Sequence, residues 1–168
     1  GLARQRHFPA INWLSSYSLY PQALDQWYRD NIASDFPEVR TEISTLLQVE
    51  SELQEIVQLV GSDALPIDQQ LTLEVARMIR EFFLQQNAFH DVDTYSDLKL
   101  QYDMARAILS FQEEAKKAIA GGAQLEDVVN VPARTDLMRG RFEKGYNDKI
   151  EELVSEMGKQ ISSSMEAN

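Results

Sequence analysis

Apolar side chains recur at every third or fourth position through most of the chain after Pro21. One such stripe occupies residues 43–60 and a second occupies residues 71–83. This spacing places apolar groups on one face of an α-helix, whereas a strand needs alternation at every second position. The sequence contains no convincing alternating segment and no Asn-Gly or Asp-Gly hairpin turn. It therefore predicts an all-α protein, an antiparallel helical bundle with an irregular N-terminal lead-in segment.

Capping and helix-breaking residues divide this pattern into separate helices. A short first helix is expected over residues 22–31, and Ser34 or Asp35 would cap a second, long helix. Pro37 falls in the first turn of that helix, where its missing N–H is harmless, and Gly61 would end it. The stripe of this helix comprises Ile43, Leu46, Leu47, Leu53, Ile56, Val57 and Val60.

Further helices are expected downstream. Pro66 would begin a helix that runs into a loop at residues 85–93. Asp93, Thr94 or Ser96 would cap the following helix, which would end at Gly121 and Gly122. Residues 125–132 indicate a short turn or helix closed by a proline. The apolar stripe over residues 138–161 then predicts one last long helix.

Composition and charge exclude several classes of function. The net charge is −11, and residues 22–93 hold 14 acids against 4 bases, so this acidic body would repel nucleic acid. Residues 1–21, in contrast, hold two bases and no acid. No apolar run is long enough to span a bilayer, so direct membrane insertion is not expected. The absence of cysteine excludes disulfides and thiolate metal sites.

The motifs of phosphate-binding and nucleophilic enzymes are incomplete. Gly140 and Gly145 have the spacing of a Walker A loop, but Tyr146 and Asn147 follow where lysine and a hydroxyl residue are required. The segment is better interpreted as a helix that tolerates two glycines. No G-x-S-x-G motif accompanies the serines. No catalytic residue is therefore predicted.

Metal chemistry is disfavoured on similar grounds. A carboxylate-bridged metal site in a bundle requires Glu-x-x-His pairs, and neither His7 nor His90 has a glutamate three residues before it. Glu50, Glu52 and Glu55 form an acidic cluster on one helix, which we interpret as a solvated face. No metal ligand is predicted.

Two aromatic segments remain for a binding role. They are "RHFPAINWLSSYSLY" at residues 6–20 and "FFLQQNAF" at residues 82–89. Exposed rings can stack on a nucleobase, and side-chain amides can hydrogen-bond to its edges. The alternative is that these rings fill the core of the bundle, as most aromatic side chains do. Composition favours this alternative without excluding the first.

Three segments carry a resemblance to a known family. "RHFPAINWLSSYSLY", "LLQVESELQEIVQLVGSDAL" and "LEVARMIREFFLQQNAF" resemble, in that order, the C-terminal region of the catalytic A (alpha) subunit of V/A-type rotary ATPases. The match covers roughly residues 4–95. The resemblance implies that residues 1–21 are a linker or the end of a missing nucleotide-binding domain, and that residues 22–168 are the C-terminal helical bundle domain.

This resemblance implies a function that is divided between two domains. The family binds ATP or ADP, and the P-loop, the Mg²⁺ ligands and the catalytic glutamate lie in the missing domain. The isolated fragment is accordingly expected to be inactive. By resemblance, Phe8 stacks on the adenine. The wall of the same pocket is formed by Gln85, Gln86, Asn87, Ala88 and Phe89.

The resemblance also implies protein partners. They are the central stalk subunits and the B subunit of a complex that lies in the cytoplasm, peripheral to the membrane. The residues that would contact the rotor shaft are Ser62, Asp63, Ala64, Leu65 and Pro66, with Leu65 and Pro66 making a steric contact. The competing interpretation is a stand-alone helical interaction module with no nucleotide role. Burial of both Phe8 and Phe89 in the bundle would favour that alternative.

Overall fold

A computed structural model describes residues 23–89, 95–139 and 146–166. These residues fold into helices joined by short connections, with no strand among them, which confirms the prediction of an all-α bundle. The irregular lead-in predicted for residues 1–21 lies outside the described residues. The helices are α1 (Ala23–Asn31), α2 (Phe36–Val60), α3 (Ile67–Phe89), α4 (Tyr95–Ala120), α5 (Leu125–Val129), α6 (Pro132–Arg139) and α7 (Tyr146–Glu166), with a 3₁₀ turn (Ser62–Ala64) between α2 and α3.

Helix α4 lies at the centre of the molecule and packs against α2, α3, α5 and α7. Its inner face carries Met104, Ile108 and Phe111, none of which is exposed to solvent. Ile43 of α2 and Phe82 of α3 belong to the same continuous cluster of buried side chains, the main core. Each such side chain contributes about 1.5–3 kcal/mol when it is fully buried, so this cluster is the principal source of stability.

The predicted ends of α2 are confirmed, but the cap at its start works differently. Pro37 lies in the first turn and Gly61 follows the last residue of the helix. Asp35 occupies the N-cap position, yet its carboxylate makes no capping hydrogen bond. It instead accepts a hydrogen bond from the Tyr102 hydroxyl at 2.5 Å and lies 3.7 Å from the guanidinium of Arg106. The side chain thus ties the start of α2 to α4, a distant contact that capping rules do not include.

Helix α1 is fastened to α2 by an aromatic and cationic stack. The Tyr28 and Phe36 rings are stacked with centroids 4.4 Å apart. The guanidinium carbon of Arg40 lies 4.4 Å from the Tyr28 centroid and 4.8 Å from that of Phe36. Arg40 is only 1% exposed, so its charge is held inside the protein over two ring faces, where such contacts are strongest.

The prediction of one last long helix over residues 138–161 is wrong. The backbone N–H of Ala133, in α6, donates a hydrogen bond to Oε1 of Gln160, in α7, at 2.8 Å. In a continuous helix these residues would be about 40 Å apart at 1.5 Å per residue. Helices α6 and α7 are therefore separate helices that lie side by side, whereas residues 140–145, predicted as a helix that tolerates two glycines, lie outside the described residues.

Candidate functional sites along the α2–α3 hairpin

A buried ion pair joins α2 to α3 at the level of Glu50. Nε of Arg80 donates to Oε1 of Glu50 at 2.5 Å. Glu50 is 5% exposed, whereas a third of the Arg80 side chain remains accessible. The prediction that Glu50 belongs to a solvated acidic face is therefore wrong, although Glu52 and Glu55 are exposed. The physical reason is a partner thirty residues away, which the spacing of acids along one helix cannot reveal.

A second ion pair joins α3 to α6. Nη2 of Arg134 donates to Oε2 of Glu74 at 2.9 Å, and Nη1 of the same guanidinium donates to the carbonyl of Val129 at 2.9 Å. The Arg134 side chain is 15% exposed, and its guanidinium carbon lies 5.3 Å from the centroid of the Phe111 ring. One arginine thus fixes α6 to α3 and to the end of α5.

Residues 51–73, which we call the arm, form the end of the hairpin beyond Glu50. Within the arm, Leu53 and Leu65 are buried but do not belong to the main core. Leu59 is 85% exposed and Val60 is 61% exposed. The apolar exposed side chains of the arm are Ile56, Leu59, Val60 and Ile67. The sequence had assigned Ile56 and Val60 to the same stripe as buried Ile43, so that stripe turns toward solvent near the tip.

The turn between α2 and α3 is fixed by local hydrogen bonds. Gly61 has φ of +86°, which disfavours any residue with a side chain, and its N–H donates to the carbonyl of Val57 at 2.8 Å. The N–H of Leu65 donates to the carbonyl of Ser62 at 3.1 Å, and Nε2 of Gln70 donates to the carbonyl of Leu65 at 2.9 Å. These bonds present the flanking apolar side chains from a defined backbone.

The five residues predicted to contact a rotor shaft do not all face outward. Ser62, Asp63, Ala64 and Pro66 are exposed. Leu65 is only 6% exposed, so its side chain would have to leave its packed position to press on a partner. An apolar contact at this end of the molecule is instead available from the exposed side chains of the arm.

The charge around the arm has a single sign. Residues 41–76 contain no lysine, arginine or histidine. Exposed acids near the tip include Glu55, Asp63 and Asp68. The surface is therefore an apolar patch with acidic neighbours, which favours a partner that offers apolar groups and bases.

The opposite end of α3 carries the residues predicted to bind nucleotide. The backbone is helical through Phe89, so Gln85 and Gln86 lie in the last turns of the helix and not in the loop that the sequence indicated. The orientation of the side chains from Gln85 to Phe89 lies outside what the structure describes, as does Phe8. The adenine pocket and the stand-alone module therefore both stay predictions.

Other parts of the described structure are weaker candidates for a functional site. A groove of about 400 Å³ lies between α4 and α7, but the Lys99 ammonium on its wall is already paired with Asp103 at 3.0 Å. Among residues 23–89, 95–139 and 146–166, no group of three or more His, Asp or Glu side chains is placed to hold a metal ion. No helix within those ranges is long and apolar enough to cross a membrane.

Comparison with known proteins gives one consistent result. Residues 25–129 match the family model described as the C-terminal domain of V and A type ATP synthase. The chain is 53% identical over 160 residues to the A subunit of the A-type ATP synthase of Natronomonas pharaonis, covering 95% of this chain and 27% of that protein. It is 46% identical over 162 residues to the corresponding protein of Methanosarcina barkeri, covering 96% of this chain and 28% of that protein. It is 49% identical over 162 residues to the V-type ATP synthase alpha chain 1 of Clostridium tetani, covering 95% of this chain and 27% of that protein. The chain therefore spans little more than a quarter of the length of these relatives.

Proposed function

The chain belongs to the family of C-terminal domains of V and A type ATP synthases, and from that membership we propose that it is the helical domain of the catalytic subunit of an ion-translocating rotary ATPase. The observation that carries this proposal is the 53% identity, over 95% of this chain, to the A subunit of an A-type ATP synthase. The complete subunit would hydrolyse or synthesise ATP with Mg²⁺ held by its other domain. It would belong to the soluble head of the complex, on the cytoplasmic side of the membrane. The 168-residue chain alone would have no ATPase activity.

We further propose that the far end of α3 lies on the adenine side of the nucleotide site. Gln85, Gln86, Asn87, Ala88 and Phe89 would form part of the pocket wall, with Phe8 stacked on the base. The resemblance of the two aromatic segments supports this assignment. Stacking of a base on an aromatic ring contributes about 1–3 kcal/mol.

The arm would contact the central rotor shaft, and the B subunit would be the neighbour in the head. The support for the arm contact is its exposed apolar group, Leu59, Val60, Ile56 and Ile67, beside acids with no base nearby. The exposed residues of the turn, Ser62, Asp63, Ala64 and Pro66, would lie at the edge of this contact. Packed Leu65 would support the turn from behind.

One helix connects the two proposed contacts. Helix α3 begins with Ile67 at the arm and ends with Phe89 at the nucleotide side, a length of about 35 Å for a straight helix. A closure of the domain on ATP would therefore move the arm with it, since a packed helix is displaced as a rigid element. This is the mechanism that we propose for coupling nucleotide binding to rotation.

The experiment that tests this function replaces Leu59 and Ile67 together by glutamine in the complete subunit, within the assembled complex. Glutamine keeps the helix propensity high but removes the apolar contact. We expect ATP hydrolysis to continue while the number of ions moved per ATP hydrolysed falls several-fold. ATP hydrolysis and ion uptake into sealed vesicles, measured in parallel, give this ratio.

The matched control is Trp27→Gln, which replaces another exposed apolar side chain that lies on α1, away from the arm. It should leave the ratio unchanged. A wild-type ratio in the Leu59→Gln/Ile67→Gln variant would refute the rotor contact. A complex that never hydrolyses ATP, even when its catalytic subunit is unaltered, would refute the function as a whole.

A further inference from the structure

Leu71, close to the base of the arm, belongs to the main core, and the rest of the arm projects beyond it. Helix α2 continues past Glu50 to Val60, a distance of about 15 Å at 1.5 Å per residue. Leu53 and Leu65 are the arm's buried apolar groups outside the main core. A load on Leu59 therefore acts on a two-helix projection whose angle is determined near its base.

Two ion pairs between helices lie at that base. Arg80 holds Glu50, which links α3 to α2, and Arg134 holds Glu74, which links α3 to α6. Glu50 is the most buried of these four side chains, so water has little access to replace Arg80 as its partner. Helix α3 is thus held from two sides where the arm joins the body.

Apolar packing and a buried ion pair restrain a helix in different ways. Burial of apolar surface is non-directional and tolerates small sliding of one helix over another. A short charge-assisted hydrogen bond is directional and is made in one register only. A buried ion pair adds little net stability compared with an apolar pair, yet it can favour a single arrangement.

From these observations we propose that Glu50 is a positioning residue for coupling: its ion pair with Arg80 fixes the angle of the arm relative to the body of the domain. The inference rests on the proposed function of the arm, and it adds the residue that makes the arm stiff. When the pair is broken, the arm yields under load. ATP is then hydrolysed without a full displacement of the partner.

The test is Glu50→Met in the complete subunit, within the assembled complex. Methionine suits a helix and a buried position, and the partly exposed Arg80 can turn its charge toward water. We expect the complex to be as thermally stable as wild type or more so, because an apolar replacement avoids a buried charge. ATP hydrolysis should stay near wild type, while the number of ions moved per ATP hydrolysed falls several-fold.

The control is Glu42→Met, the same substitution on the same helix at an exposed position. It should show wild-type coupling. A similar loss of coupling in this control would overturn the assignment to Glu50. The combination of retained stability and lost coupling is what distinguishes a positioning role from a merely structural one.

Wild-type coupling in the Glu50→Met complex would overturn the inference. If that variant does not assemble, Glu50→Gln keeps the shape of the side chain and removes its charge, and wild-type coupling there would overturn it equally. Failure of both variants to assemble would assign Glu50 to stability alone and would also overturn it. If Leu59→Gln/Ile67→Gln lowers the ratio but Glu50→Met does not, only this inference fails. If neither lowers it, the proposed rotor contact fails.

Discussion

The two halves of the α2–α3 hairpin differ in how far their apolar and charged side chains are buried. In the half next to α4, Ile43 and Phe82 are fully buried and Glu50 is paired with Arg80. In the arm, Leu59 and Val60 are mostly exposed. The two halves belong to the same pair of helices and carry apolar side chains at the same three- and four-residue spacing.

The difference indicates where the hairpin obtains its stability and where it meets other molecules. An isolated exposed leucine is ordinary on a protein surface, but four large apolar side chains near one turn are a feature of interaction sites. The buried half supplies a fixed base, and the arm presents a surface that costs little to change. Substitutions should therefore separate into those that affect folding and those that affect partners.

The largest effect on the free energy of unfolding is expected from Arg80→Met, at the base of the arm. The substitution removes the guanidinium that donates a hydrogen bond to the buried Glu50 carboxylate. Because a buried charge without its partner is unfavourable, the free energy of unfolding should fall by about 3 kcal/mol. Denaturant unfolding of the chain followed by circular dichroism measures this loss. Arg77→Met is the matched control, since Arg77 is on the same helix with a side chain that is 64% exposed. An equal loss in both variants would remove the distinction between base and surface.

A smaller effect is expected where α4 meets the start of α2. Tyr102→Phe removes the hydroxyl that donates to Asp35 and should lower the free energy of unfolding by about 1 kcal/mol at neutral pH. Phenylalanine keeps the ring in place beside Phe36. The variant therefore isolates the hydrogen bond from the packing. A cost as large as that of Arg80→Met would show that the two polar contacts are equivalent.

The same variant has a defined pH dependence. Burial, followed by the hydrogen bond to Asp35, raises the pKa of Tyr102 from 10.0 to about 12, with Arg106 opposing the rise and Asp103 adding to it. The folded state then holds the proton more tightly than the unfolded chain does. The contribution of Tyr102 is fully present below pH 10 and is lost as the pH rises to about 12. The stability difference between wild type and Tyr102→Phe should shrink over that window, and a constant difference would contradict the assignment.

The sequence was sufficient to predict the helix ends and helix faces, because these depend on residues that are close together along the chain. Pro37 and Gly61 mark the ends of α2 because their backbone preferences are local. The spacing of Leu71 and Val75 predicts a helix face by geometry alone, and both side chains are buried. The resemblance of the longer segments identified the family without any structure.

The sequence was insufficient where a distant partner decides the outcome. Glu50 looked like a surface acid because Arg80 approaches it only after α2 and α3 have packed. Asp35 was predicted as a helix cap, but its carboxylate accepts a hydrogen bond from the hydroxyl of Tyr102, sixty-seven positions later. The apolar stripe also gave no indication that Val60 would face solvent, since spacing defines a face of a helix and not what covers that face.

The smallest effect on stability is expected at the tip of the arm, and it is the one that most directly tests the contrast. Leu59 is 85% exposed, so Leu59→Gln removes little buried surface and leaves the helix propensity nearly unchanged. We expect the free energy of unfolding to stay within about 0.5 kcal/mol of wild type, as for most surface substitutions. Leu53→Gln on the same helix is the matched comparison, because Leu53 is buried and an unpaired amide there should cost several times more. A large loss at Leu59 would mean that the arm is covered by its own chain, and the apolar surface proposed to meet the rotor would then not be free to do so.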